Sequence, residues 1–141
     1  MSPPVAFLDA NILFSAALGG PVFGTIRELG RHGSIRLVTS EACVREALES
    51  LTRKRPDALE ALDGVLLDVE VFAVRHRHLE AAGQLVGSAD AHVVSAALTL
   101  RADVLVTGDR THFGPLMERR DAPIRVRTPR MFLLEGPPAQ G

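Results

Sequence analysis

Two aspartates follow directly on short apolar runs. Asp9 comes after Val5–Leu8, and Asp109 comes after Val104–Val106 by way of Thr107-Gly108. Asp90 stands in the first turn of a predicted helix, Ala89–Leu100, and Glu46 lies in Glu41–Arg53 beside Val44, Ala47 and Leu48. Taken singly, each has an ordinary explanation. Asp caps helices and turns, an acid in a first turn suits the helix dipole, and surface Glu is common on helices. Glu41 and Glu49 share the helix of Glu46, and spacing does not choose among the three. The two strand-end aspartates say more as a pair, because independent caps have no reason to meet at one edge of one sheet. If the acids converge, they cannot all stay ionised without a cation. Carboxylate oxygens, in a chain with one cysteine and no clustered histidines, select Mg2+ or Mn2+ over Zn2+. Such an ion keeps several waters, one of which can serve as a nucleophile.

Hydrophobic periodicity predicts the elements that hold these acids. Strands are expected at Val5–Leu8, Ile35–Val38, Val69–Val74, Val104–Val106 and Ile124–Val126. Helices are expected at Asn11–Leu18, Val22–Leu29, Glu41–Arg53 behind a Thr39 or Ser40 cap, and Asp57–Leu66 opened by Pro56. Further helices follow at Leu79–Val86, Ala89–Leu100 behind Ser88, and from Thr128-Pro129 to Leu134, with a loop after Asp109. Short apolar strands separated by helices indicate an α/β fold, a parallel sheet covered on both faces. Ligands of such sheets bind beyond the carboxyl ends of the strands, which is where Asp9 and Asp109 fall. Residues 1–134 read as one domain and 135–141 as a disordered Pro/Gly-rich tail.

Composition narrows the function classes. At 141 residues, 46% hydrophobic and 23% charged, the chain is neither disordered nor fibrous. No apolar stretch approaches the ~20 residues of a membrane span. The first residues lack the basic start of a signal peptide, so a cytoplasmic protein is expected. Cys43 reads as a small core residue. A net charge of −1 excludes bulk electrostatic binding of nucleic acid, yet the charge is uneven. Residues 1–109 hold ten bases against fourteen acids, and residues 110–130 hold six arginines against two acids. Within that basic stretch Arg110, Arg119 and Arg120 are candidate nucleic-acid contacts. Fifteen of sixteen bases are Arg, which suits bidentate phosphate contacts, although genome base composition produces the same bias. The absence of Trp and Tyr argues against a base-stacking platform.

Four stretches in order resemble one family. They are Phe7-Leu8-Asp9-Ala10-Asn11-Ile12-Leu13, Val38-Thr39-Ser40 with Arg45-Glu46-Ala47-Leu48, Asp90-Ala91-His92-Val93-Val94-Ser95-Ala96-Ala97, and Val106-Thr107-Gly108-Asp109-Arg110-Thr111-His112-Phe113. With Thr128-Pro129-Arg130-Met131-Phe132-Leu133 they extend from residue 5 to about 134, and the chain resembles the PIN-domain nucleases, among them the VapC-type toxins. The resemblance implies a three-layer α/β/α sandwich around a central, mainly parallel sheet. It implies that Asp9, Glu46, Asp90 and Asp109 form the catalytic, metal-binding set, with Asn11 supporting the first Asp and Thr107 beside the last. It also implies Mg2+ or Mn2+ as cofactor, RNA as substrate, a homodimer, and an antitoxin that enters the acidic site. An inhibitor there is expected to bring an Arg or Lys, since only a cation replaces the metal's charge. Ala10 departs from the small hydroxyl residue of many relatives, at a position that is not a ligand.

Two other readings compete with a metal-dependent endoribonuclease. One is a non-catalytic PIN-like module for RNA binding or assembly, which has no need of a costly cluster of like charges. The other is a small-molecule phosphohydrolase, weakened because Asp9-Ala10-Asn11 lacks a second Asp. No GxxxxGK[ST] loop is present, which argues against nucleotide triphosphatase chemistry. His92 and His112 are read as rim positions at most, and His76 and His78 as solvent-facing.

Overall fold

The computed structural model describes residues 2–76 and 78–136. Strand β1 (Val5–Leu8) leads into helices α1 (Ala10–Ala17) and α2 (Pro21–Arg31). β2 (Arg36–Ser40) is followed by α3 (Glu41–Lys54), a 3₁₀ turn at Pro56–Ala58, and α4 (Leu59–Leu66). β3 (Glu70–Phe72) precedes α5 (Leu79–Val86) and α6 (Ala91–Thr99). β4 (Val104–Val106), α7 (Arg110–Met117), β5 (Arg125–Arg127) and α8 (Pro129–Glu135) complete the order.

All strand pairings are parallel, in the order β3-β2-β1-β4-β5. Right-handed crossovers then put the helices between β1 and β3 on one face and those between β3 and β5 on the other. The packing agrees: α1 meets α2, α3 and α4, α2 meets α8, and α5 meets α6 and α7. This is the expected three-layer sandwich. Phe7, Leu8, Leu105 and Val126 are fully buried in the sheet between Leu13, Leu51 and Leu62 of one layer and Val94 and Phe113 of the other. Strands buried on both faces carry continuous apolar side chains, which is why they are legible in sequence. The chain leaves β1 in one direction and resumes at β4 in the other, so a crevice opens beyond the carboxyl ends of these two strands.

Two expectations need correction. The stretch after Asp109 is helical as α7, not a loop, and buries Phe113, Leu116 and Met117 at helical spacing. Gly114-Pro115 masks that pattern, although so short a helix tolerates Pro on its exposed side. α6 begins at Ala91, two residues later than read, because the chain turns through residues 88–90 after Gly87 at φ 88°. Ser88 therefore caps nothing, whereas Ser40 caps α3 as expected, accepting from the Cys43 N–H. α8 runs through Glu135, whose carboxylate accepts from Arg127 Nε at 2.9 Å; residues 137–141 lie outside the described residues. No described helix is long and apolar enough to cross a membrane.

One ion-pair cluster ties α2 to the turn after α4. Asp68 accepts from Arg27 Nε and pairs with Arg31 at 3.1 Å, while Arg27 also donates to the Gly64 carbonyl at 2.6 Å. The Arg27 hydrogen bond above all holds the Asp68 carboxyl below the usual carboxylate range. A depressed carboxylate stabilises the fold above its unfolded pKa, and that stabilisation is lost as pH falls through the folded value. Asp68→Asn should cost about 1 kcal/mol near neutral pH and nothing below the folded pKa. Melts of both proteins from pH 7 downward should therefore converge in acid; a constant gap would remove the assignment.

Candidate functional site

Asp9 closes β1 and opens α1, at an extended backbone position with only 5% of its surface exposed. Its Oδ1 accepts from the Ala10 N–H at 2.7 Å. Its Oδ2 accepts from Thr107 Oγ1 at 2.8 Å and Asn11 Nδ2 at 3.1 Å. Thr107, fully buried at the end of β4, also accepts from Asn11 Nδ2 at 3.2 Å and from the Asp109 N–H at 3.1 Å. Asn11 Oδ1 in turn accepts from the Gly108 N–H at 2.8 Å. A Cβ at position 108 would stand 3.3 Å from that oxygen, so glycine keeps the approach open. Asn11 and Thr107 thus fasten the first acid to the loop that carries the last.

Among the described residues no base pairs with Asp9. Burial, above all, pushes its carboxyl up, and the charges of Glu46 and Asp90 add to this, against the hydrogen bonds from Thr107 and Ala10. A buried acid with acids for neighbours is a costly arrangement that a cation relieves.

Asp90 occupies the N-cap position of α6, yet its side chain makes no capping bond. Asp109 does cap its helix, Oδ1 accepting from the His112 N–H at 3.0 Å, and its Oδ2 lies 2.7 Å from His112 Nδ1. Burial acts to raise the Asp109 pKa but is outweighed by the His112 hydrogen bonds, which hold it below the usual range. His112 is raised in turn, first by its hydrogen bond to Asp109 and then by the charges of Asp109 and Asp90. His112 Nδ1 stands 3.6 Å from Asp90 Oδ2, and one donor atom each from Asp90, Asp109 and His112 lie within 4.8 Å of one another. Sequence reading placed His112 at the rim; what brings it in is the cap, which folds residue i+3 back over the Asp that precedes the helix.

Asp9, Glu46, Asp90 and Asp109 line one pocket of about 280 Å³, at the crevice beyond β1 and β4, with Asn11 beside them. Of the three glutamates that spacing left open, Glu46 is the one among the lining residues. Asp9 and Glu46 fall outside the tight group of Asp90, Asp109 and His112. His92 faces a separate shallow recess with Arg45, Glu46 and Glu49, and His76 shares a hydrogen bond with buried Ser95 at 3.0 Å. Arg110 opens α7 next to Asp109, at the acid edge of the sheet. Arg119 and Arg120 do not join it. They precede β5 and so lie at the amino ends of the strands, the length of α7 or ~12 Å away. There they share a recess with Arg125 and Arg127, and Arg119 pairs with Asp121 at 3.0 Å.

An all-parallel five-stranded α/β/α sandwich with an acid pocket at its switch point defines the class of the molecule. The PIN domain family model matches residues 5–111, and the chain belongs to that family. VapBC2 from Rickettsia felis, solved bound to a DNA fragment from their promoter, is similar in structure, with a TM-score of 0.66 at 17% identity. That match covers 88% of this chain and 98% of the other. VapBC-1 from nontypeable Haemophilus influenzae is also similar, with a TM-score of 0.58 at 17% identity over 89% and 98% of the two chains. At this identity the likeness establishes the fold. No curated protein matches by sequence.

Proposed function

We propose that this chain is a metal-dependent endoribonuclease that hydrolyses RNA phosphodiester bonds, and the VapC-like toxin of a toxin–antitoxin pair. The observation that carries the reading is the convergence of acids from four separate elements on one pocket, with Asp9 buried and, among the described residues, paired to no base. The donor set fits a hard divalent cation: carboxylate oxygens predominate, and cysteine contributes none, since Cys43 is buried and its thiol pushed up to about 11 by burial. Asp9, Asp90 and Asp109, with Glu46 and His112 beside them, would hold Mg2+ or Mn2+. Such an ion supplies a water of lowered pKa and positive charge for the phosphate. Thr107 and Asn11 fix the Asp9 carboxylate in advance of binding, so little reorganisation remains when substrate arrives. Arg110 stands where it can meet the incoming backbone.

The partner reading rests on the same charge. A protein inhibitor that entered this pocket would need a cationic side chain to offset the acids. We also assign a homodimer, as the family resemblance implies; light scattering at micromolar concentration that gives one chain's mass would remove it. For the activity, purified protein is incubated with a mixed RNA pool in Mn2+, in Mg2+ and in EDTA. Cleavage should require metal and stop on chelation. Intact RNA in the presence of calorimetrically bound metal would overturn the nuclease in favour of a non-catalytic binding module.

A further inference from the structure

The acid pocket has a basic end. Glu46, Ser50 and Lys54 recur every fourth residue along α3, so one face of that helix presents an acid, a hydroxyl and a base in a line of ~12 Å. All three line the pocket, and α1 lines it opposite them with Asn11, Phe14 and Ser15. Lys54 Nζ lies 5.9 Å from the centre of the Phe14 ring, within cation–π range, which steers the amine over the trough.

Lys54 sits in Arg53-Lys54-Arg55, and three cations at a helix carboxyl end are explained in general by the helix dipole. The structure separates them. Arg55 forks onto Asp57 at 2.8 and 3.0 Å, and Arg53 lines an adjoining recess, with Leu48 and Glu49, that shares Glu46 and Ser50 with the acid pocket. Lys54 is the one base among the described residues that line the acid pocket, and the sole lysine of the chain. Among the described residues it makes no ion pair, so its charge is available to a ligand.

We infer that Lys54 binds a backbone phosphate flanking the one held at the acids, and so sets the direction in which an RNA strand lies along the trough between α1 and α3. The inference rests on the nuclease reading. A polyanion that enters beside four carboxylates needs cations at more than the scissile phosphate. The compact ammonium of Lys54, with the Ser50 hydroxyl on its own wall and the Ser15 hydroxyl on the facing one, supplies donors away from the acids.

The test compares wild type, Lys54→Met and Lys54→Arg as full chains, with melts to verify folding. Cleavage kinetics are read with Mn2+. The salt dependence of binding is read by anisotropy on a phosphorothioate RNA oligonucleotide, and Mn2+ affinity by calorimetry. Lys54→Met should raise KM about tenfold at little change in kcat, flatten the log–log salt slope by about 0.7, and leave Mn2+ affinity unchanged. Lys54→Arg should restore most of the loss. If wild type cleaves and Lys54→Met matches it in KM and slope, the Lys54 role is overturned and the nuclease stands. If wild type binds RNA without cleaving, the nuclease reading falls. The slope difference then decides Lys54 by itself: a flatter slope supports it and an equal one overturns it. No RNA binding by wild type overturns both.

Discussion

Asp9→Asn should abolish metal-dependent RNA cleavage while the metal-free protein melts at the same temperature or higher. The amide keeps one oxygen for the Ala10 N–H and gives up the acceptor of Thr107 and Asn11, but it removes a buried charge that Glu46 and Asp90 oppose, and that relief offsets the lost bonds. Relief of about 1 kcal/mol corresponds to roughly 4 °C for a chain of this size. The loss of activity should exceed the about 10–100-fold that groups supporting a metal ligand usually carry. pH separates this from a simple packing effect. Because the folded pKa of Asp9 is raised, the native state holds its proton at a pH where the unfolded chain has lost it. Stability contributed by this group therefore falls as pH rises from about 3.8 through the raised value. In EDTA the wild type should show that decline and Asp9→Asn should lack it. A large drop in melting temperature on substitution would instead make Asp9 a structural cap.

Thr107→Val should damage stability as well as activity. Valine matches the shape of threonine but lacks the hydroxyl that donates to Asp9 and accepts from Asn11 and the Asp109 N–H. Removing that hub in a fully buried position should cost about 2 kcal/mol and lower activity about 10–100-fold. The cost should shrink when Asp9→Asn is already present, since the most expensive orphan, the buried carboxylate, is then absent. A double-mutant cycle by thermal or urea unfolding reads this coupling. Strict additivity would mean that the Thr107–Asp9 hydrogen bond carries no energy of its own.

The elements that place the acids were legible because burial writes itself into sequence. β1 and β4 are covered on both faces and read as unbroken apolar runs, so the positions of Asp9 and Asp109 at their ends followed directly. α7 was not legible, because Gly114-Pro115 interrupts a helix whose buried residues are correctly spaced. The start of α6 was ambiguous, since Ser88 and Asp90 are both good caps and the turn after Gly87 decides between them only in three dimensions. His112 does not show in the sequence for a similar reason: its approach to Asp109 and Asp90 is a product of the cap. The charge split between the two parts of the chain was real but silent about direction. It grouped Arg110 with Arg119 and Arg120, which the sheet sends to opposite edges.

Both outer strands of the sheet, β3 and β5, are three residues long, and each bears charge. Glu70 of β3 is held by a two-pronged bond from Arg36 at 2.9 Å, and β5 is Arg125-Val126-Arg127. So little unpaired backbone, flanked by charged side chains, gives a foreign strand almost nothing to zip onto. Growth of the sheet from one molecule into the next is thereby closed off. Any second copy or inhibitor would have to be met by side chains on the helical faces, so a choice of companion would be written in surface residues rather than in peptide groups common to every protein.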